Sequence, residues 1–118
     1  MNEHALAREV DQWSAAEKKI ARRAFDEAYQ RQCAAIRANV AKMVVTASAP
    51  ADLWKIHDYL SVQRRAIDKI YDYRYSALLT VFARLLKQKW LSVADLAGLQ
   101  ESKIEIIQDW VTFWRSRG

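Results

Sequence analysis

The sequence predicts an all-α protein, built as a long helical hairpin stem with a small C-terminal helical head. Three observations indicate this class. Only two glycines and one proline interrupt the 118 residues, apolar residues recur at intervals of three, four and seven, and β-branched residues come in short runs, so we expect no sheet. A single domain, 1–118, is the default for this length. We expect residues 14–71 to form the stem and residues 72–118 the head.

The first helix is expected to begin at Ser14, because Ser14 and Glu17 have the spacing of a capping box. Helical periodicity then continues to a turn at Thr46 to Pro50, TASAP. Such a helix of about 30 residues spans roughly 45–50 Å, whereas a compact domain of this length is only ~35 Å across. A helix that extends beyond its own globule needs a partner, which favours an elongated homodimer. A monomeric hairpin, with the first helix folded back on the second, is the alternative.

The second helix is expected from about Asp52 to Tyr71, with Pro50 in its first turn. Two different faces follow from its spacing. One face has the apolar stripe typical of a buried core: Leu53, Ile56, Leu60, Ile67 and Ile70. The neighbouring face carries a chemically mixed set that an ordinary solvated helix would not show: Trp54, His57, Asp58, Ser61 and Arg64 or Arg65.

The third helix follows a break near Asp72. It is strongly apolar from Ala77 to Leu86 and ends in the basic run Lys87 to Lys89. Cations are favourable at a helix C-terminus because of the macrodipole, so this run marks the end of the helix.

Two further helices complete the head. Ser92 and Asp95 cap a short fourth helix, and Gly98 is its natural stop. The final helix is amphipathic, with an apolar stripe at Ile104, Ile107, Val111 and Trp114. Three tryptophans of this half are candidates for an apolar contact patch, although a domain core is their more frequent place: Trp90, Trp110 and Trp114.

Several function classes are disfavoured by the residues themselves. The single cysteine, Cys33, excludes an intramolecular disulfide, and no Cys/His cluster has metal-ligand spacing. His57 and Asp58 are consecutive on a helix and diverge by about 100°, so we do not expect them to hydrogen-bond as a catalytic base and its orienting group. Two glycines are too few for a phosphate-binding loop. We expect no enzyme active site, no cofactor and no metal.

The amino terminus and the net charge bear on location and partners. MNEHALAREVDQW is polar and acidic where a signal peptide is basic and then apolar, and no apolar run approaches membrane-spanning length. We therefore expect a soluble, cytoplasmic protein. A net charge of +5 suits nucleic acid or an acidic protein partner. Ion pairs on a solvated helix face explain the first-helix cations better, and no nucleic-acid motif is present, so nucleic-acid binding is not expected.

The mixed face of the second helix is best explained by a second copy of the chain. Asp58 and Arg64 are six residues apart and do not meet within one helix. Across a two-fold axis, Asp58 of one copy reaches Arg64 of the other, and Trp54 and His57 flank the pair. Such a bond fixes register more than it adds stability. The alternative places Trp54 in the core and leaves the charged residues at the surface.

These runs resemble a known family. WKIHDYLSVQR, followed by IDKIYDYRY and by VFARLLK of the third helix, is similar to the cyanobacterial fluorescence recovery protein family over residues 14 to about 107. The resemblance implies a non-enzymatic, all-helical dimer that binds the C-terminal domain of photoactivated orange carotenoid protein. It implies acceleration of the return to the dark orange form, which ends phycobilisome quenching. It also implies that the functional cluster at the dimer interface comprises Trp54, His57, Asp58 and Arg64.

Three features depart from the family pattern. Thr80 stands where members have a bulky aromatic on the head, QKWL at 88–91 replaces a glycine-containing turn, and the tail VTFWRSRG has no counterpart. By the same resemblance, Thr80 and, as a weaker match, Lys103 are the candidate partner-binding residues. A divergent homologue that acts as a dimeric interaction protein or scaffold for an unrelated client is therefore the alternative function.

Overall fold

The computed structural model describes residues 12–117, and over these residues it confirms the all-α prediction. Residues 1–11, on which the expectation about export partly rests, and Gly118 lie outside the described part. No β-strand occurs within residues 12–117. The elements in chain order are α1 (Ala15–Thr46), α2 (Pro50–Ile70), α3 (Leu78–Lys87), a 3-10 helix (Val93–Leu96) and α4 (Glu101–Arg117).

Helix α1 begins at the predicted capping box. The Ser14 hydroxyl accepts the Glu17 N–H, and the Ser14 N–H donates to the Glu17 carboxylate, both at 3.1 Å. The helix has 32 residues, which corresponds to about 48 Å. The chain measures 63 × 32 × 21 Å with a radius of gyration of 17.7 Å, against about 13–14 Å for a compact domain of this length. The prediction that α1 extends beyond its globule is confirmed.

The predicted hairpin stem is formed by α2 packed antiparallel to the second half of α1. The tight connection is held by Asp52, whose carboxylate accepts the N–H groups of Ser48 and Ala49 at 3.0 Å. These two bonds lower the pKa of Asp52. Further along the stem, the Asn39 amide donates to the Tyr59 hydroxyl at 2.9 Å.

The head packs on the first half of α1, where the buried side chains are small. Ala21, Ala24 and Ala28 are fully buried and let the head helices approach the α1 backbone closely. Helix α3 lies at the centre, since seven of its ten residues are buried. The largest fully buried apolar side chains of this core are Leu78, Phe82, Leu85, Leu96 and Ile107.

Gly98 ends the 3-10 segment, as predicted, and it is required there for two reasons. Its φ of +103° is in the left-handed region that side chains disfavour. A Cβ at this position would lie 2.4 Å from Cδ1 of Ile20 on α1. A side chain at this turn would strain the backbone and would also force the Ile20 side chain to shift.

The end of α3 has the geometry of a Schellman motif without glycine. The Trp90 N–H donates to the Leu85 carbonyl at 2.9 Å and the Lys89 N–H to the Leu86 carbonyl at 3.1 Å. Lys89 takes the left-handed position, with φ of +68°. The turn QKWL thus keeps the backbone shape that glycine usually provides, at a cost of roughly 1–2 kcal/mol.

A buried ion pair joins the start of α1 to the start of α4. Lys103 is fully buried, and its Nζ lies 3.1 and 3.0 Å from the two carboxylate oxygens of Glu17 and 2.6 Å from the Gln12 carbonyl. The Gln100 N–H also donates to Glu17, at 3.0 Å. Burial alone would raise the pKa of Glu17, but the N–H groups of Gln100 and Ser14 together with Lys103 lower it.

The burial of Lys103 corrects one expectation from the family resemblance. A partner-contacting role requires an accessible ammonium group, and this ammonium is enclosed by Glu17, the Gln12 carbonyl and the Trp13 ring, whose centroid is 4.9 Å away. The structure therefore gives Lys103 a place inside the head.

A second ion pair holds the 3-10 helix against the middle of α1. Arg31 donates to the Asp95 carboxylate at 2.9 Å and to the Trp90 carbonyl at 3.0 Å. The Arg31 bond, which is the largest cause, together with hydrogen bonds from the Ser92 N–H and hydroxyl, lowers the pKa of Asp95 to about 2. Asp95 also accepts the Ser92 N–H at 2.9 Å, which confirms the predicted cap.

None of the helices within residues 12–117 is both long enough and apolar enough to span a membrane.

Replacing Lys103 by methionine is expected to lower the free energy of unfolding by about 3–5 kcal/mol, because Glu17 is left as a buried charge without its counter-ion. Urea denaturation followed by circular dichroism measures this. Lys19→Met, at an exposed position on α1, is the matched control and should change stability by less than about 0.5 kcal/mol. A Lys103→Met protein as stable as the Lys19→Met protein would contradict the role of the ion pair.

The Arg31–Asp95 pair should add stability that is complete above about pH 4 and lost as the pH falls toward 2. The sign follows because the native pKa of Asp95, about 2, lies below its ordinary value of 3.8. The difference in unfolding free energy between wild type and Arg31→Met should therefore become smaller as the pH falls from about 4 toward 2. Arg37→Met, at an exposed α1 position, should show no pH-dependent gap. A gap for Arg31→Met that stays constant from pH 5 to pH 2 would disprove the assignment.

Candidate functional site

The four residues of the predicted cluster all lie on one exposed stretch of α2. Trp54 is 66% exposed, and the side chains of His57, Asp58 and Arg64 are 69%, 80% and 81% exposed. The alternative that placed Trp54 in the core is therefore wrong for the single chain. An exposed tryptophan on a stretch that also exposes Leu53 and Leu60 makes this part of α2 a candidate contact surface.

Within one chain, Trp54, His57 and Asp58 are brought together. The Trp54 and His57 rings meet edge to face, with centroids 6.4 Å apart and an interplanar angle of 77°. His57 Nδ1 lies 3.4 Å from Asp58 Oδ1, which is closer than their divergence along the helix led us to expect. Flexible side chains at the helix surface bend toward each other. Both groups remain largely exposed, so the contact does not fix the ring as a catalytic base requires.

Arg64 lies apart from the other three. Its guanidinium pairs with Asp68 one turn along α2, with Nε 3.5 Å from Oδ2, and it forms no ion pair with Asp58 within the described chain. Arg64 also lines a cleft of about 530 Å³ between α1 and α2, together with Tyr29 and Tyr71. One chain thus holds the two charges of the predicted pair in separate places.

The stem exposes an apolar surface next to this cluster. The core expected along α2 is partly wrong, because Leu53 is 61% and Leu60 is 42% exposed, and only Ile67 and Ile70 are buried. Helix α1 covers one side of α2, and no other described element covers the side that carries Leu53. The large exposed apolar side chains of the stem are Tyr29, Val44, Val45, Leu53, Trp54, Leu60 and Val62.

Sequence reasoning missed an aromatic cluster where the stem joins the head. The Tyr71 ring lies edge-on to Phe25 and to Tyr29, with centroids 5.3 Å apart in each case. Arg22 lies over Tyr73, 4.2 Å from the ring centroid. Burial raises the pKa of the Tyr71 phenol, which donates to the Gln32 side chain at 2.9 Å. The signal was the run YDYRY directly after α2, whose first two tyrosines, Tyr71 and Tyr73, pack against aromatic side chains of α1 where the stem joins the head.

The other candidate residues, Thr80 and Cys33, are both half-buried. Thr80 lies on α3. Cys33 lies beside Tyr29 on α1. Within residues 12–117, no three His, Cys, Asp or Glu side chains are placed to hold a metal ion.

An elongated helical hairpin with an exposed aromatic and charged face, carried on a compact head, defines an all-α protein with a candidate protein-interaction surface. A family model described as photoprotection regulator fluorescence recovery protein matches residues 13–109. The chain belongs to the fluorescence recovery protein family, whose members are photoprotection regulators.

Similar proteins agree in sequence and in structure. The fluorescence recovery protein of Synechocystis sp. PCC 6803 is 39% identical over 98 residues, which cover 80% of this chain and 90% of that protein. Its structure superposes with a TM-score of 0.80 at 37% identity, covering 86% of this chain and 99% of that one. The Fremyella diplosiphon fluorescence recovery protein gives a TM-score of 0.78 at 41% identity, with 83% and 96% covered.

Proposed function

We propose that this protein is a cytoplasmic, non-enzymatic regulator that binds the C-terminal domain of photoactivated orange carotenoid protein. Binding accelerates the return of that protein to its dark orange form and so ends phycobilisome quenching. Family membership carries the proposal. The exposed cluster Trp54, His57, Asp58 and Arg64 supports it, because it keeps the residue types of the family's functional cluster on one accessible face.

The active form in this proposal is a homodimer joined through the stems. Burying one exposed Leu or Trp side chain contributes about 1.5–3 kcal/mol, and the stem offers several. Leu53, Trp54 and Leu60 lie on this surface. A two-fold axis repeats each of these contacts in the partner copy. Such an interface would cover the apolar stem surface that the single chain leaves exposed.

Dimerisation would also exchange the partners of Arg64. In the single chain Arg64 and Asp68 form an exposed i to i+4 pair, which is worth only about 0.3–0.5 kcal/mol. An arginine–carboxylate bond to Asp58 of the partner copy would be shielded from water and bidentate, and therefore stronger. Breaking the weak pair costs little, so Arg64 is available for the interface.

Acceleration of a conformational change needs no chemical group on this protein. It requires tighter binding to the transition state of the partner's relaxation than to its active state. Each 1.4 kcal/mol of such preference gives a tenfold faster rate. Shape and charge on the stem and the head are sufficient for this.

A different client for the same dimer is the second candidate function. Thr80 lies on α3 where the resemblance leads to an aromatic, and the residues after 109, including Trp110 and Trp114, are outside the family match. These differences lie in the head. They therefore change the surface of the head and leave the proposed dimer contacts of the stem unchanged.

Asp58→Leu or Arg64→Leu should shift the dimer toward monomer, because each leaves one charge of the pair unpartnered at the interface. Light scattering at micromolar concentration should give twice the mass of one chain for wild type and a lower mass for either variant. Asp109→Leu, at an exposed site on α4, is the matched control and should keep the wild-type mass. An unchanged mass for both stem variants would refute this placement of the pair.

The recovery function is tested by the dark red-to-orange relaxation of a photoactivated orange carotenoid protein, with this protein at equal concentration. We expect faster relaxation with wild type, and no acceleration with Trp54→Ala or Arg64→Leu. Lys19→Ala should accelerate like wild type. If a confirmed folded dimer gives no acceleration with a matched carotenoid protein, the recovery proposal is wrong and the different client is favoured.

A further inference from the structure

A groove of about 410 Å³ lies where the ends of α2 and α3 meet the last turns of α4. Three cationic side chains line it, Lys69 from α2 and Arg84 and Lys87 from α3. Ile70 and Trp114 supply apolar wall. None of the cluster residues on the exposed stem face contributes to this groove.

The groove holds more positive charge than its surroundings neutralise. No carboxylate of residues 12–117 lies within 4 Å of the charged nitrogens of Lys69, Arg84 or Lys87. Helices α2 and α3 both end here, and each C-terminus contributes only about −0.5 charge. The groove lining therefore carries three positive charges against about −1 from the two helix ends.

Trp114, the aromatic wall of the groove, packs against a second tryptophan of α4. Trp114 stacks on Trp110, with ring centroids 6.4 Å apart and an interplanar angle of 30°. Lys87 Nζ lies 5.9 Å from the Trp114 ring centroid, so charge and apolar surface adjoin. Trp114 follows residue 109, where the family match ends, and this wall is therefore contributed by the chain's own last turns.

We propose that this groove binds an acidic peptide segment of a partner protein. Its carboxylates pair with Lys69, Arg84 and Lys87, and one apolar side chain, Leu or Phe, lies against Ile70 and Trp114. The charge complementarity argues for this occupant, since an anion relieves the unbalanced charge. A peptide fits better than nucleic acid because the cations surround one short concave site with an apolar wall and do not follow a phosphate backbone. This is a second binding surface, beyond the proposed recovery function.

The test is a titration of the ¹⁵N-labelled full chain with a synthetic acidic peptide of about twelve residues, rich in Glu, with one central Phe. We expect saturable shifts of the Trp114 indole signal and of the amides around Lys69, Arg84 and Lys87. The double variant Arg84→Glu/Lys87→Glu should bind at least about tenfold more weakly, which corresponds to a loss of about 1.4 kcal/mol. Trp114→Ala, which keeps all three cations, should also weaken binding. Lys19→Glu, the matched charge reversal, should bind like wild type.

Three results would overturn the proposal. The first is no saturable shift, and the second is equal binding of a peptide with every Glu changed to Gln. The third is tighter binding of a DNA duplex with a steep loss of affinity in salt, which would indicate a nucleic-acid site instead.

Circular dichroism of each variant shows whether it is folded. Because Arg84 and Lys87 are exposed, their reversal should leave the fold intact. The assay contains no carotenoid protein, so its outcome is separate from that of the recovery experiment.

Discussion

The buried ion pair between Glu17 and Lys103 is the constraint on which the rest of the structure depends. Two buried charges offset their own desolvation only when their hydrogen-bonding capacity is filled. Here Glu17 accepts from Ser14, Gln100 and Lys103 at once. The pair joins the start of α4 to the start of α1, the helix whose buried alanines face the head.

The head and the stem differ in how far they bury their apolar side chains. The head encloses its own apolar side chains around α3, and small residues such as Ala24 and Ala28 bring the layers together. The stem has only two helices, and a two-helix layer cannot enclose both of its faces. A stem with Leu53 and Trp54 on the outside is therefore suited to a surface that a second molecule completes.

Local patterns predicted the helices well, and long-range placement only in part. The capping box at Ser14 and the stop at Gly98 depend on neighbouring residues, so a sequence reveals them. Periodicity shows that the face of Leu53 should be covered, but not which chain covers it. Lys103 lies four residues before Ile107, at the spacing of a buried stripe, but the family resemblance points to a partner-binding role and therefore to an exposed side chain. Only the approach of Glu17, distant in sequence, explains its position.

The sequence separation of that ion pair also has a consequence for folding of the chain. Glu17 and Lys103 are 86 residues apart, whereas the α1–α2 hairpin closes through a connection of three residues, 47–49. Contacts close in sequence form before distant ones, because loop closure costs less entropy. The two stem helices can therefore pair early, while the carboxylate of Glu17 is still solvated. The head cannot complete its core until Lys103 reaches Glu17, so the apolar side chains of α3 stay incompletely covered until that late contact forms.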